Sequence, residues 1–263
     1  MYGIIIFIIT TGTLQLVVSN SAPYYRPLSP EQAAKLSEWN TSSLQQMWEL
    51  SGQYEGDMVL QPNQLNGVIN TRFRWPNREI PYEISSDFTP QEKQFIAQAI
   101  QIEYGRTCLN IRPRQASDVD FVYITGDDIG CWSNIGRVGG PQILNLQRSE
   151  GCIWKGTIAH EFLHAAGFVH QHSATERDDY LEILWNNIIE DQKYNFVKYG
   201  YSDITSFGET YDYDSVMHYG RYAFSANERP TILPKDPTAN IGQNNALSRK
   251  DIIKLHKMYN CTV

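Results

Sequence analysis

The residues that could do chemistry lie in one eleven-residue stretch, His160-Glu161-Phe162-Leu163-His164-Ala165-Ala166-Gly167-Phe168-Val169-His170. His160 and His164 are four apart, so on a helix they share a face, one turn from each other. Two imidazoles at that spacing suit a zinc ion, and Glu161 beside them is placed to take a proton from a metal-bound water. Gly167 can adopt positive φ, end the helix and turn the chain. The turn lets His170 approach the same metal from another side. Three protein ligands leave a fourth position open, as a catalytic zinc requires and a structural one does not. At ordinary residue frequencies these five fixed positions coincide in on the order of one window in ten million. The competing reading is a buried helix with incidental histidines, and the full spacing argues against it.

These ligands need a helix and a frame. The helix is expected from about Gly156 to Ala166. Ile80 to Ile84, Asp120 to Thr125 and Gln142 to Leu146 read as strands. Thr89-Pro90-Gln91-Glu92 is a capping box, followed by an apolar face of Phe95, Ile96, Ala99 and Ile100 and a stop at Gly105. Asn187 and Glu190 are expected to cap a further helix. Ser248-Arg249-Lys250-Asp251 caps a last one, with Ile252, Leu255 and Tyr259 facing inward. Strands precede most of the helices, which implies an α+β fold. Upstream of this domain the chain is polar and helical in flavour, with a helix start at Ser29-Pro30-Glu31-Gln32 backed by Ala33, Ala34 and Leu36. Gln61 to Gly67 reads as an exposed loop that a protease could cut.

Composition narrows the setting. A length of 263 residues permits one or two domains, and 41% hydrophobic residues suffice for a sizeable core. A net charge of −7 without a basic cluster argues against nucleic acid as a partner. No internal apolar run is long enough to span a bilayer. The apolar stretch from Ile4 to Val18, followed by small residues at Ser19, Ser21 and Ala22, reads as a secretory signal peptide over residues 1–21. A short membrane anchor is the alternative, and Thr and Gly interrupt it. Four cysteines, Cys108, Cys131, Cys152 and Cys261, fit an oxidising destination, and spacing alone leaves all three pairings open. None forms a C-x-x-C pair that would indicate a thiolate zinc site. Asn40-Thr41-Ser42 and Asn260-Cys261-Thr262 are glycosylation sequons, the second with a cysteine at its centre.

The zinc pattern followed by Ser215-Val216-Met217-His218-Tyr219-Gly220 resembles the astacin family of metzincin metalloendopeptidases. Arg74-Trp75-Pro76-Asn77, Ile80-Pro81-Tyr82, Cys131-Trp132-Ser133, Gly156-Thr157-Ile158, Ala223-Phe224-Ser225 and Ile241-Gly242-Gln243 are also similar to segments of that catalytic domain. The resemblance runs from about Asn66 to Cys261. It implies a two-lobed α+β fold, with a mixed sheet and helices in the upper lobe and an active-site cleft with one zinc at its floor. It implies a single catalytic domain over 66–263 behind a signal peptide over 1–21 and a propeptide over 22–65. It would join Cys108 to Cys261 and Cys131 to Cys152. Met217 would form an apolar base under the zinc, and Tyr219 would reach the zinc at rest and stabilise the transition state. Substrate would lie by strand addition along an edge strand, expected near Gly139 to Leu146.

Two further regions bear on this resemblance. The glutamate that usually follows the family's third histidine, and helps to anchor the mature N-terminus, is Gln171 here, which cannot carry that charge. His172 beside it reads as a surface residue or one just outside the ligand set. Upstream, Tyr54-Glu55-Gly56-Asp57 resembles the F-x-G-D element of the family's propeptides, so Asp57 would bind the zinc in place of water until cleavage near Leu65 to Gly67, or at Arg72 or Arg74, releases it. A Gly-Asp surface turn is the alternative. The sum is a secreted, extracellular, zymogen-activated zinc endopeptidase acting on proteins or peptides. An activating protease is its expected partner, with no membrane or nucleic-acid partner and a monomeric state. The competing classes are a binding protein on the same scaffold, which intact Glu161 disfavours, and a zinc hydrolase of another bond.

Overall fold

A computed structural model of the chain describes residues 26–60, 70–148 and 151–261. The stretch read as a signal peptide and the loop expected to be cut near Leu65 to Gly67 lie outside the described residues.

Among the described residues, six strands form the upper sheet. They are β1 (Met58–Val59), β2 (Glu79–Ile84), β3 (Asn110–Pro113), β4 (Phe121–Thr125), β5 (Cys131–Asn134) and β6 (Pro141–Leu146), in the spatial order β1-β5-β6-β4-β2-β3. All neighbours are parallel except β5 on β6, which makes the sheet mixed. Ile80, Val122, Ile124, Leu144 and Leu146 are fully buried, as expected of parallel strands covered by helices. Four α-helices are described: α1 (Pro30–Ser37), α2 (Pro90–Tyr104), α3 (Lys155–Ala166) and α4 (Arg249–Met258). α3, the histidine helix, packs on α2, β5 and β6. In the other lobe β7 (Leu181–Ile183) pairs antiparallel with β8 (Ile232–Pro234). No helix among the described residues is long and apolar enough to cross a membrane.

The local signals at the helix starts act as their chemistry requires. Thr89 Oγ1 accepts the Glu92 N–H, and the Glu92 carboxylate accepts the Thr89 N–H, so two otherwise orphaned donors of α2 are satisfied reciprocally. Ser29 with Gln32 does the same for α1, and Ser248 with Asp251 for α4.

Several expectations change. Phe95 is 39% exposed, because the buried face of α2 continues through Ile96, Ala99, Ile100 and Tyr104. The helix expected after Asn187 is two 3₁₀ segments, Trp185–Asn187 and Glu190–Phe196, neither with a side-chain cap. The Gly139–Leu146 region is not an edge: β6 is covered on one side by β4 and on the other by β5, which folds back on it. Without β1, the edge on this side of the sheet is β5. The N-terminal region is α-helical only over α1, with a 3₁₀ turn at Trp48–Leu50. From Met47 to Leu60 it is mostly buried, and it adds β1 to the sheet edge, with Met58 opposite Ser133 and Val59 opposite Asn134. Cys108 is paired with Cys261 and Cys131 with Cys152, at Cα separations of 6.2 and 5.6 Å.

Candidate metal centre

The histidine helix is held at its C-terminal end by contacts from elsewhere in the chain. The last carbonyls of a helix lack intrahelical donors. Here the His164 carbonyl accepts the Gly136 N–H at 2.8 Å, Ala165 accepts the Trp75 indole N–H at 2.7 Å, and Ala166 accepts the Tyr259 hydroxyl at 2.8 Å. Gly167, at φ 109°, closes a Schellman turn in which its N–H reaches His164 and the Phe168 N–H reaches Leu163. That turn redirects the chain so that His170 faces His160 and His164, as the spacing predicts.

His160, His164 and His170 are buried, and each ring nitrogen has a defined task. His160 Nδ1 lies 2.8 Å from the Val216 carbonyl, His164 Nδ1 2.8 Å from the Phe168 carbonyl, and His170 Nδ1 2.8 Å from Glu55 Oε2. Acceptors on all three Nδ1 atoms place the protons there and turn the three Nε2 lone pairs toward a common point. Asp57 faces the same point. Its Oδ2 is 2.9 Å from His160 Nε2, and its Oδ1 is 3.3 Å from both His164 Nε2 and His170 Nε2. His160 Nε2 and His170 Nε2 are themselves 3.3 Å apart.

These distances fit a shared cation. Four ligands at about 2.1 Å from a tetrahedral centre lie about 3.4 Å from one another. Asp57 Oδ1 and His164 Nε2 are buried without a hydrogen bond, which a metal between them would account for. Electrostatics agrees. Burial opposes ionisation of Asp57, but His170 and His164 outweigh it and hold the carboxyl well below its usual range. Burial takes His164 down to about 4, leaving it neutral as a ligand must be. His170 rises to about 9 despite burial, driven by Asp57 and Glu55, so the two carboxylates draw a proton onto it, and a metal ion at the common point would displace that proton from Nε2. Three nitrogens and one oxygen are a zinc donor set.

Glu161 is fully buried beside the ligands, and neither carboxylate oxygen has a hydrogen-bond partner. Burial first, then the Asp57 charge, push its carboxyl well above the usual range. The 215–217 turn supports the centre through its backbone. Asp251, the N3 partner of Ser248 in the α4 capping box, accepts the Val216 N–H at 3.0 Å and the Ser215 hydroxyl at 2.6 Å, and Val216 in turn holds His160. Met217 is 2% exposed, and its carbonyl accepts the Gln171 N–H. The Tyr219 hydroxyl donates to the Glu55 carbonyl at 2.6 Å, because the N-terminal segment occupies the cleft. Asn40 and Asn260 are exposed, and neither belongs to the cluster.

Three features correct or extend the sequence reading. His172 is not at the surface: it is fully buried and stacks on the Tyr219 ring with centroids 3.6 Å apart. Glu55, His170 and His172 also cluster, but a neutral imidazole cannot offer a lone pair from both nitrogens, and Glu55 lies at hydrogen-bond distance from His170. Gln171 does not face the metal ligands; its Oε1 accepts from the buried Lys254 ammonium at 2.5 Å. Two contributors have no role in the sequence reading, although Glu55 lies within the Tyr54-Glu55-Gly56-Asp57 element. Trp48 stacks on His160 at 4.6 Å and on His170 at 5.3 Å, and Glu55 supplies the only side-chain acceptor among the three Nδ1 contacts.

The chain matches the family model of the astacin peptidases over residues 67–260. It is 44% identical over 198 residues to the zinc metalloproteinase nas-15 of Caenorhabditis elegans, covering 75% of this chain and 34% of that protein. It is 36% identical over 249 residues to nas-7 of the same organism, covering 94% of this chain and 64% of that one, so this likeness extends upstream of the family-model match. The chain thus spans about a third to two thirds of these relatives' lengths. Among solved structures it resembles high choriolytic enzyme 1, a hatching enzyme zinc-protease from Oryzias latipes, with a TM-score of 0.68 and 40% identity over 73% of this chain and 97% of that one. With the family model matched over most of its length, the chain belongs to the astacin family of zinc metalloendopeptidases.

Proposed function

We propose that this protein is a secreted zinc-dependent endopeptidase made as a zymogen, with residues 22–65 as its propeptide and Asp57 as the ligand that silences it. The carrying observation is the convergence of His160, His164 and His170 Nε2 on the Asp57 carboxylate at 2.9–3.3 Å, inside an astacin-family domain. His160, His164 and His170 would hold the zinc. Bound there, zinc supplies Lewis acidity toward water and toward a peptide carbonyl.

The remaining chemistry belongs to side chains. Glu161 accepts the proton of the attacking water and returns it to the leaving amine nitrogen. Its buried setting, which lifts its proton affinity, suits a group that must both take and give a proton near neutral pH. Tyr219, once freed from Glu55, offers a hydroxyl donor to the negative charge that develops on the carbonyl oxygen. Met217 packs below the centre. Substrate adds along β5, the edge that β1 covers here. The docking of β1 along β5 supports latency, since it brings Asp57 to the histidines and covers the strand edge.

The test is hydrolysis of casein by the chain after tryptic trimming, beside Glu161→Ala and the untrimmed chain. Cleavage by trimmed wild type, blocked by a zinc chelator, is expected. Glu161→Ala should lose about 10²–10⁴-fold of that rate while keeping its zinc. Untrimmed Asp57→Ala should hydrolyse a small peptide that untrimmed wild type leaves intact. A trimmed, zinc-loaded wild type that cleaves nothing would favour a binding role on the same scaffold.

A further inference from the structure

The segment meets the centre with more than Asp57. Residues 53–56 form a tight turn in which Gln53 and Gly56 exchange both backbone hydrogen bonds, at 2.9 and 3.1 Å. Glu55 sits in that turn at φ 46°, in the left-handed region a side chain seldom adopts. Gly56 follows at φ 87°, where a Cβ would lie 2.9 Å from Glu49 Cα. The turn therefore places two carboxylates, at 55 and 57, on the same histidine cluster.

Glu55 is fully buried and every polar group it owns is engaged. Oε2 lies 2.8 Å from His170 Nδ1, and Oε1 accepts the Ser173 hydroxyl at 3.1 Å. Its N–H donates to Asn195 Oδ1 at 2.9 Å, and its carbonyl accepts the Tyr219 hydroxyl at 2.6 Å. The contrast with the other ligands is informative. His160 and His164 rest on carbonyls of the peptidase domain itself, at Val216 and Phe168. Of the three, His170 alone is oriented by a group from the segment that activation would remove.

We infer that Glu55 is a positioning residue: its carboxylate fixes His170 as a metal ligand and its carbonyl withdraws Tyr219, so that the N-terminal segment retains the metal as well as blocking the cleft. An acceptor behind a ligating imidazole fixes its tautomer, fixes its orientation and raises its basicity, and loss of such an acceptor typically costs about 10–100-fold in metal affinity. The inference rests on the zinc reading above and extends it to a residue that contacts no ion directly.

The experiment follows transfer of zinc from the full, uncut chain to a chromogenic chelator in excess, for wild type, Glu55→Ala and Glu55→Gln. Glu55→Ala should release zinc about 10–100-fold faster than wild type. Glu55→Gln keeps an acceptor oxygen of the same reach and should release it within a few-fold of wild type, which also separates lost positioning from lost folding. Release from Glu55→Ala at the wild-type rate overturns the inference, as does release from Glu55→Gln as fast as from Glu55→Ala. A wild-type chain that takes up no zinc overturns the metal reading itself and this inference with it. A wild-type chain that holds one zinc, with both variants equally slow, overturns the inference alone.

Discussion

The sheet that carries the histidine helix and the segment that covers the histidines are held by different kinds of contact. In the sheet, β4 pairs with β6 over five residues and with β2 over three, and Val122, Ile124 and Leu144 are fully buried. The segment contributes a two-residue strand, the buried apolar side chains of Met47, Trp48, Met58, Val59 and Leu60, and polar contacts that converge on the centre: Ser51 with the Cys131 backbone, and Glu55 and Asp57 in the histidine cluster. Its earlier part, residues 26–46, is largely exposed. Distributed apolar burial stabilises a fold cooperatively, whereas a hold concentrated on the functional atoms can be released without unfolding what it holds. The peptidase domain should therefore survive loss of the segment, and changes in the segment should move latency more than domain stability.

The sharpest way to break this contrast is Trp48→Ala. The indole is 2% exposed, and removing a buried aromatic costs about 3–5 kcal/mol. Expected is peptide hydrolysis by the uncut chain, with the melting transition of the trimmed domain as reference and little changed. A variant that melts far earlier as a whole would show that the segment is part of the domain's core. Next in size is joint replacement of Cys131 and Cys152 by Ala. The bridge closes a separation of 21 residues, which corresponds to about 3 kcal/mol. Calorimetry should show the domain melting roughly 6–12 °C lower. Because Cys131 lies in the strand that receives β1 and accepts from Ser51, latency should weaken together with stability. If only one of the two changes, the regions are more separate than these contacts imply.

Smaller effects sharpen the same line. Gly56→Ala places a Cβ against Glu49 at a positive-φ position, costing about 1–2 kcal/mol. Faster trimming by trypsin, at an unchanged domain melting temperature, is the expected readout. The smallest effect lies at the opposite edge of the sheet. Arg112 contacts Asp118 at 2.7 Å and holds its carboxyl down to about 2. A carboxyl depressed on folding stabilises at pH values above its unfolded pKa of about 3.9, and the contribution fades as pH falls toward 2. Arg112→Met should thus lower the urea midpoint slightly at pH 7, and the difference should vanish near pH 2. Latency should not respond at all.

Much of the frame could be read from neighbours in sequence. The i, i+4 histidines, the Gly167 turn and the boxes at Thr89 and Ser248 act within four residues, so their geometry follows from helix periodicity and capping. Gly167 is the clearest case: a positive φ there brings the Phe168 carbonyl back to His164. Tertiary packing decided what such rules do not reach. Phe95 belongs to the expected apolar face of α2 yet is exposed, because neighbouring elements cover the adjacent stripe. β6 became an inner strand when β5 folded back on it. His172 was buried by the Tyr219 ring, 47 positions away in sequence order.

The sequence by itself determined the three clustered imidazoles, the acid beside them and the helix that spaces two of them, since these lie within one helix and the turn that follows its cap. Only the tertiary structure decided which carboxylates close the cluster. Asp57 meets His160 across 103 positions and Glu55 meets His170 across 115, and no periodicity links residues so far apart. Their encounter depends on a segment docking along a sheet edge, where a left-handed turn at residues 55 and 56 aims two side chains at one point.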